Sequence, residues 1–288
     1  MKKKDQTPLL LKIVRWLYPR AERYMPSVAH WYFTRLFFTP LHYHATAKEL
    51  KALKFSEPFS VIVQGKKVQC YSWGKGERVV LLVHGWAGRA TQLRRFIKPL
   101  LANGYRVIGI DGPAHGNSEG RRTSILEFEE AFKQVFKHAG EPEAIIAHSF
   151  GGGAVLFSAM NGLPVKTLIN IATPTIGDEI INTYLRAING SAKTGDYFRT
   201  YMMKEFGKSF DEFTSLYFVK HLPRPVDLLL VHDEDDKEVS IRHPLALLEI
   251  YPQAQLFKTK GLGHTRILKD DAVIQKCVTF IAGGSSMG

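Results

Sequence analysis

Apolar positions change their spacing several times along the 288-residue chain. In residues 8–18 and 27–38, Leu, Ile, Val, Trp, Tyr and Phe recur at helical spacing with basic residues between them, while Pro19, Pro26 and Pro40 interrupt the run. Two short amphipathic helices are expected there. From Phe59 the period falls to two, and the runs 59–64 and 68–73 flank Gly65-Lys66-Lys67, the pattern of an antiparallel hairpin. After Gly74-Lys75-Gly76, residues 78–83 form a near-continuous apolar run of the kind found in strands covered on both faces. Alternation then begins: helix over 91–103, strand 106–110, helix 124–139, strand 144–147, helix 150–161, strand 166–171. Such alternation predicts a parallel α/β sheet. It pauses between Pro174 and Pro223, where aromatic-rich helical patterns contain no buried-strand run, and an inserted helical cap is expected. Strand 226–231, helix 241–250, strand 255–258 and helix 266–282 complete the pattern. The expected organisation is therefore an N-terminal helical arm (1–57), an α/β core (58–174 and 225–282), a cap (175–224) and a flexible tail (283–288).

Composition leaves this picture intact: 45% hydrophobic and 23% charged residues are ordinary for a globular chain. Charge alters it in one place. The net charge is +12, and residues 1–54 hold eleven Lys/Arg against Asp5, Glu22 and Glu49. The arm is expected to pack across the core near the cap, with peripheral contact of residues 1–54 to anionic lipid as the second reading. Lys12 and Arg15 interrupt the apolar run after Leu9, and no small-residue cleavage site follows, so a signal peptide is not expected. No run of 18 apolar residues offers a membrane span. Cys70 and Cys277 stand apart on separate elements, which predicts no disulfide and a reducing, cytoplasmic setting. His42 and His44 lack a carboxylate partner at helical spacing, and no G-x-G-x-x-G or Walker pattern for a nucleotide occurs, so neither metal nor cofactor is expected, and with the charge run read as a solvated face no nucleic acid is expected either. Nothing in the pattern sets an oligomeric state.

The candidate chemistry lies at Ala147-His148-Ser149-Phe150-Gly151, where an apolar run meets glycines that open a helical pattern. A serine hydroxyl becomes a nucleophile when a base takes its proton, and a tight strand-to-helix turn presents it at a cleft. Small residues are required two before and two after it, and Ala147 and Gly151 fill those places. Base and acid are expected in loops beyond the carboxyl ends of later strands. His264 follows the strand at 255–258. Four acids follow the strand at 226–231, of which Asp236 has the reach and Asp235 is the alternative, while Asp233 falls almost on the strand end. Oxyanion donors are expected from the Phe150 amide and from the Trp86 amide in His84-Gly85-Trp86.

Together with the motif 111–118, Asp-Gly-Pro-Ala-His-Gly-Asn-Ser, these residues resemble the α/β-hydrolase superfamily over roughly 58–282. The likeness is strongest to bacterial serine hydrolases with an H-G-W-x-G-R loop (84–89) and a G-L-G-H-x-R-I-L ending (261–268). The resemblance implies an α/β-hydrolase fold, a mostly parallel sheet with helices on both faces and an inserted cap. It also implies Asp236 as the triad acid and supporting places for His84, Gly85, His115 and His148, with Asp233 standing where the family usually has glycine. The expected function is cleavage of a small-molecule carboxylic ester with an apolar acyl or alcohol moiety through an acyl-serine. Thioester or lactone hydrolysis, acyl transfer, and a ligand-binding protein with negligible turnover are the alternatives.

Overall fold

The computed structural model describes residues 9–284, which divide into two compact units. The larger comprises Thr39–Thr175 and the chain from Thr214 onward, and is built on an eight-stranded sheet. Strands β3 (Val79–Val83), β5 (Ala144–His148) and β6 (Thr167–Ile171) are buried at every position, as expected of apolar runs covered on both faces. With β1 (Glu57–Val63), β2 (Lys66–Trp73), β4 (Arg106–Ile110), β7 (Asp227–Asp233) and β8 (Gln255–Thr259), they form the order β1-β2-β4-β3-β5-β6-β7-β8. The pairs β1–β2 and β2–β4 are antiparallel and all others parallel.

The first hairpin turns on two residues rather than the expected three. Gln64 and Gly65 both have positive φ, and Val63 pairs directly with Lys66, so Lys66 and Lys67 belong to β2. A two-residue turn with both φ positive matches the right-handed twist of the strands. A short helix that the periodicity left unassigned, α3 (Ala47–Leu53), precedes the hairpin. Its Thr46/Glu49 capping box explains where it starts, and Trp73 Nε1 donates to Ala52 O at 3.0 Å.

Alternate side chains of the sheet enter one core with α4 (Arg94–Ala102) and α12 (Asp271–Gly284). Val80, Leu82, Ile146 and Ile169 meet Phe96, Leu100, Val273 and Cys277 there. The intervening positions point to the other face, where α6 (Phe150–Met160) comes so close to β3 that a Cβ on Gly151 would stand 2.8 Å from Val83 Cγ1. On α6 rests α5 (Ile125–Ala139). Also against α6 lies α9 (Ser215–Lys220), which touches α10 (Arg242–Ile250), so α9 belongs to the sheet unit and not to the expected cap. The final helical stretch is also more broken than its periodicity suggests. A short α11 (Gly263–Arg266) and a 3₁₀ turn (Ile267–Lys269) precede α12, whose Val273 amide is received by Asp270 Oδ1. Gly283 and Gly284 close α12 rather than starting a tail, and 285–288 lie outside the described residues.

The smaller unit joins the arm to the insertion: the chain up to Phe38 with Ile176–Phe213. Helices α1 (Leu9–Tyr24) and α2 (Pro26–Phe37) bury Tyr18, Ala29 and Phe33 against Ile181, Leu185 and Phe198 of α7 (Gly177–Ile188) and α8 (Ala192–Phe206). Tyr18 Oη lies 3.0 Å from Thr194 Oγ1, while Glu22 accepts from Ser191 and Thr194. The arm thus has its core with the insertion helices, and the unit ends at residues 38 and 213 rather than 57 and 224. Pro19 does not end α1, contrary to the sequence expectation. A proline there removes the donor to the carbonyl four residues back, and Arg15 O instead accepts from Asn189 Nδ2 at 3.3 Å.

Candidate active site

The chain leaves β3 towards β4 on one side and returns on the other as β5, so the carboxyl ends of β3 and β5 flank a crevice. Strain concentrates at that edge. Ala87, Ala114, Ser149 and Ala172, in the loops after β3, β4, β5 and β6, all have positive φ without being glycine. Such conformations cost about 1–3 kcal/mol each and persist where neighbours over-determine them.

Ser149 has φ 51° and ψ −125°. Its amide donates to Ile171 O at 2.8 Å, and its carbonyl accepts from Gly152 N and Thr173 Oγ1, both at 3.0 Å. Every backbone polar group of the serine is therefore fixed by a neighbouring element. The glycines around it are steric necessities. A Cβ on Gly151 would approach His84 O to 2.5 Å, and one on Gly152 would collide with the Asn170 and Thr173 side chains. A Cβ on Gly85 would stand 2.9 Å from His148 Nδ1 and 3.0 Å from Ser149 Cβ, so the loop after β3 lies directly on the serine.

His264, on α11, donates from Nδ1 to Asp236 Oδ2 at 2.8 Å. The other oxygen of Asp236 accepts from the amides of Glu238 and Val239 at 2.8 and 3.0 Å. Burial pushes the Asp236 carboxyl upward, but the His264 bond and these amides outweigh it and hold the group below its ordinary range. Asp235 is exposed. The His264 carbonyl accepts from His148 Nε2 at 2.9 Å, and the two rings lie 4.8 Å apart, which ties the loop of His264 to the residue preceding the serine.

Asp233 is the site residue that sequence reasoning passed over. Its Oδ1 accepts from Gly263 N (2.9 Å) and Asp235 N (3.1 Å), and its Oδ2 from Thr259 Oγ1 (2.7 Å) and Leu262 N (3.0 Å). The carboxylate is fully enclosed and fastens the loop of Asp236 to the loop of His264. Burial raises its pKa, yet the Gly263 amide, Thr259 and Leu262 together bring it below the ordinary value. A carboxylate at a strand end followed by three more acids was the visible signal.

Behind the crevice, His84 stitches two loops together. Its Nδ1 donates to Gly85 O at 2.7 Å and its Nε2 accepts from Gly112 N at 2.8 Å. His115 donates from Nδ1 to Pro113 O at 2.9 Å. Burial lowers His84 to about 4 and His115 and His148 to about 3, so all three are neutral imidazoles at neutral pH. Asp111 holds the adjoining turns through Ala90 N (2.7 Å) and Asn117 N (2.8 Å). The half-buried rings of Trp86 and Phe150 meet edge to face at 5.1 Å, with His115 against Trp86 at 5.2 Å and Phe128 against Phe150 at 5.1 Å. Each sequence-selected residue thus falls in one connected cluster at the carboxyl edge of the sheet.

Residues 78–199 match the family model described as the alpha/beta hydrolase fold. The hydrolase YugF of Bacillus subtilis (strain 168) is 34% identical over 89 residues, 30% of this chain and 32% of that protein. The monoacylglycerol lipase of Mycolicibacterium smegmatis is 33% identical over 85 residues, 27% of this chain and 30% of that one. The chain therefore spans about a third of the length of these curated relatives. Among solved structures, the Pyrococcus furiosus esterase Pf2001 superposes with a TM-score of 0.63 at 18% identity, covering 86% of this chain and 97% of that one. Sheet order, family match and structural likeness agree: the chain has the α/β-hydrolase fold.

Proposed function

We propose that this chain is a serine hydrolase that cleaves carboxylic esters through an acyl-serine. The observation that carries the reading is the hydrogen bond of 2.8 Å between His264 and the buried Asp236, tied through His148 to the strained turn that presents Ser149. With its Nδ1 proton held by Asp236, His264 has Nε2 free to act as the base. Ser149 Oγ attacks the ester carbonyl carbon as its proton passes to that nitrogen. The resulting oxyanion is received by the amides of Trp86 and Phe150, neither of which donates to an acceptor among the described residues. Collapse expels the alcohol, which takes its proton from His264. Water then attacks the acyl-serine with His264 again as base, releasing the acid and restoring Ser149.

The edge-to-face rings of Trp86, Phe150 and Phe128 favour an apolar group beside the reacting carbonyl. Curated and structural relatives named as a lipase and an esterase lend the same direction. The test is hydrolysis of p-nitrophenyl esters of increasing acyl length by the full chain and by Ser149→Ala. The wild type is expected to turn over several acyl lengths, and the variant to lose about 10³-fold or more. Equal rates in both proteins would refute the assignment.

A further inference from the structure

The arm helices carry a second apolar face that the helical unit does not use. Tyr18, Ala29 and Phe33 point into its core. One turn round each helix, Ile13, Trp16, Leu17 and Tyr24 on α1 and Val28 and Trp31 on α2 are all more than two-fifths exposed. Their spacings place each set on a single stripe. Arginines stand over the rings. Arg20 lies 3.9 Å from the Trp16 ring centre, Arg35 4.6 Å from that of Trp31, and Arg23 5.5 Å from that of Tyr24. Glu22, the one acid in α1 and α2, is engaged by Ser191 and Thr194, and the other charged residues of these two helices are basic.

We propose that this face of α1 and α2 docks onto an anionic lipid bilayer. Aliphatic side chains and indole rings suit the boundary between headgroups and acyl chains, and guanidinium groups at their rims meet lipid phosphates. A second copy of the chain would set arginine against arginine. A nucleic acid would satisfy the arginines but leave Ile13, Leu17 and Val28 without an apolar partner. The proposal stands independently of the esterase reading, because it uses no residue of the crevice.

Sedimentation of the full chain with phosphatidylcholine vesicles, with and without phosphatidylglycerol, tests it. Binding is expected to the anionic vesicles, weakened by salt, with a blue shift of tryptophan emission as Trp16 and Trp31 leave water. The double variants Trp16→Ala/Trp31→Ala and Arg20→Gln/Arg35→Gln should each bind about tenfold more weakly or worse. Ile62→Ala, exposed on β1, should bind as the wild type does. Thermal unfolding shows whether the variants keep the fold, and the wild-type emission shift remains decisive if they do not. The proposal is overturned if wild-type protein ignores anionic vesicles, if folded tryptophan variants bind equally well, or if the same variants instead abolish a dimer or retention on DNA.

Discussion

Replacing Asp233 by Ala tests whether the clasp between the loops of Asp236 and His264 governs the site. The substitution removes four hydrogen bonds to a carboxylate, two of them, from Leu262 and Gly263, crossing between loops. A bond to a charged group contributes about 1.5–3 kcal/mol, and because Leu262 and Gly263 are only half-buried, water replaces part of it, so about 1.5 kcal/mol for each of these two and ~3 kcal/mol from the pair that crosses between the loops is expected, as a lower bound on the whole loss. In a chain of this size that lowers Tm by about 6–12 °C. The effect on catalysis should be larger in proportion. His264 follows Gly263 directly, and a displacement of about 1 Å in a catalytic group costs on the order of 100-fold in rate. The loss should fall mainly on kcat, with KM little changed, because Asp233 does not line the ring cluster. Asp233→Asn, which keeps one acceptor, should show about half of the Asp233→Ala loss. The Asp233 pKa is lowered in the folded protein, so its contribution is fully present above the ordinary carboxylate range and is lost as pH falls through the lowered value. At pH 7 the full effect should therefore be seen. Urea and thermal unfolding beside ester kinetics measure both quantities, and wild-type Tm and kcat in Asp233→Ala would refute the clasp.

Asp236→Asn should lower kcat by about 10⁴-fold, as expected when an orienting carboxylate is lost, whereas Asp235→Asn should change it less than about twofold. The reverse ranking in steady-state kinetics would transfer the acid role to Asp235. Acid sensitivity should come first from His84, His115 and His148, whose pKa values are lowered by burial from 6.5 to about 4, 3 and 3. Their stability contribution is complete above pH 6.5 and declines as pH falls towards the lowered values, because the unfolded chain then binds protons that the native state refuses. Between pH 7.5 and 5.5 the loss should reach about 4 kcal/mol for the three together. Unfolding midpoints that stay flat over that interval would show that these imidazoles titrate normally in the native state.

The central strands β3, β5, β6 and β7 were legible because they are near-continuous apolar runs, and the clusters at 84–86, 147–151 and 233–236 lie at the ends of such runs, whereas 261–264 follows the partly exposed β8. Tertiary partners explain what the sequence left hidden. Pro19 reads as a helix end, and the chain continues because Asn189, distant in sequence, serves the carbonyl that the proline leaves without its helical donor. Asp233 was set aside for standing at a strand end, yet that position lets its carboxylate reach Leu262 and Gly263 across the β7–β8 pair. The Thr46/Glu49 capping box was visible and marks α3, a helix too short for periodicity to reveal. In the sequence, the choice of Asp236 over Asp235 rested on its reach and partly on the family resemblance. In the structure burial and the His264 bond separate them.

The central claim is that Ser149 is activated by the His264–Asp236 pair, and covalent labelling by a fluorophosphonate tests it most directly. Such a probe reacts with a serine whose proton is being withdrawn and spares ordinary hydroxyls. The account predicts a single phosphonylated peptide containing Ser149, no labelling in Ser149→Ala, and labelling slowed by about 10³-fold or more in a folded His264→Ala variant. A wild-type protein that stays unlabelled, or one labelled equally well without Ser149, would contradict it.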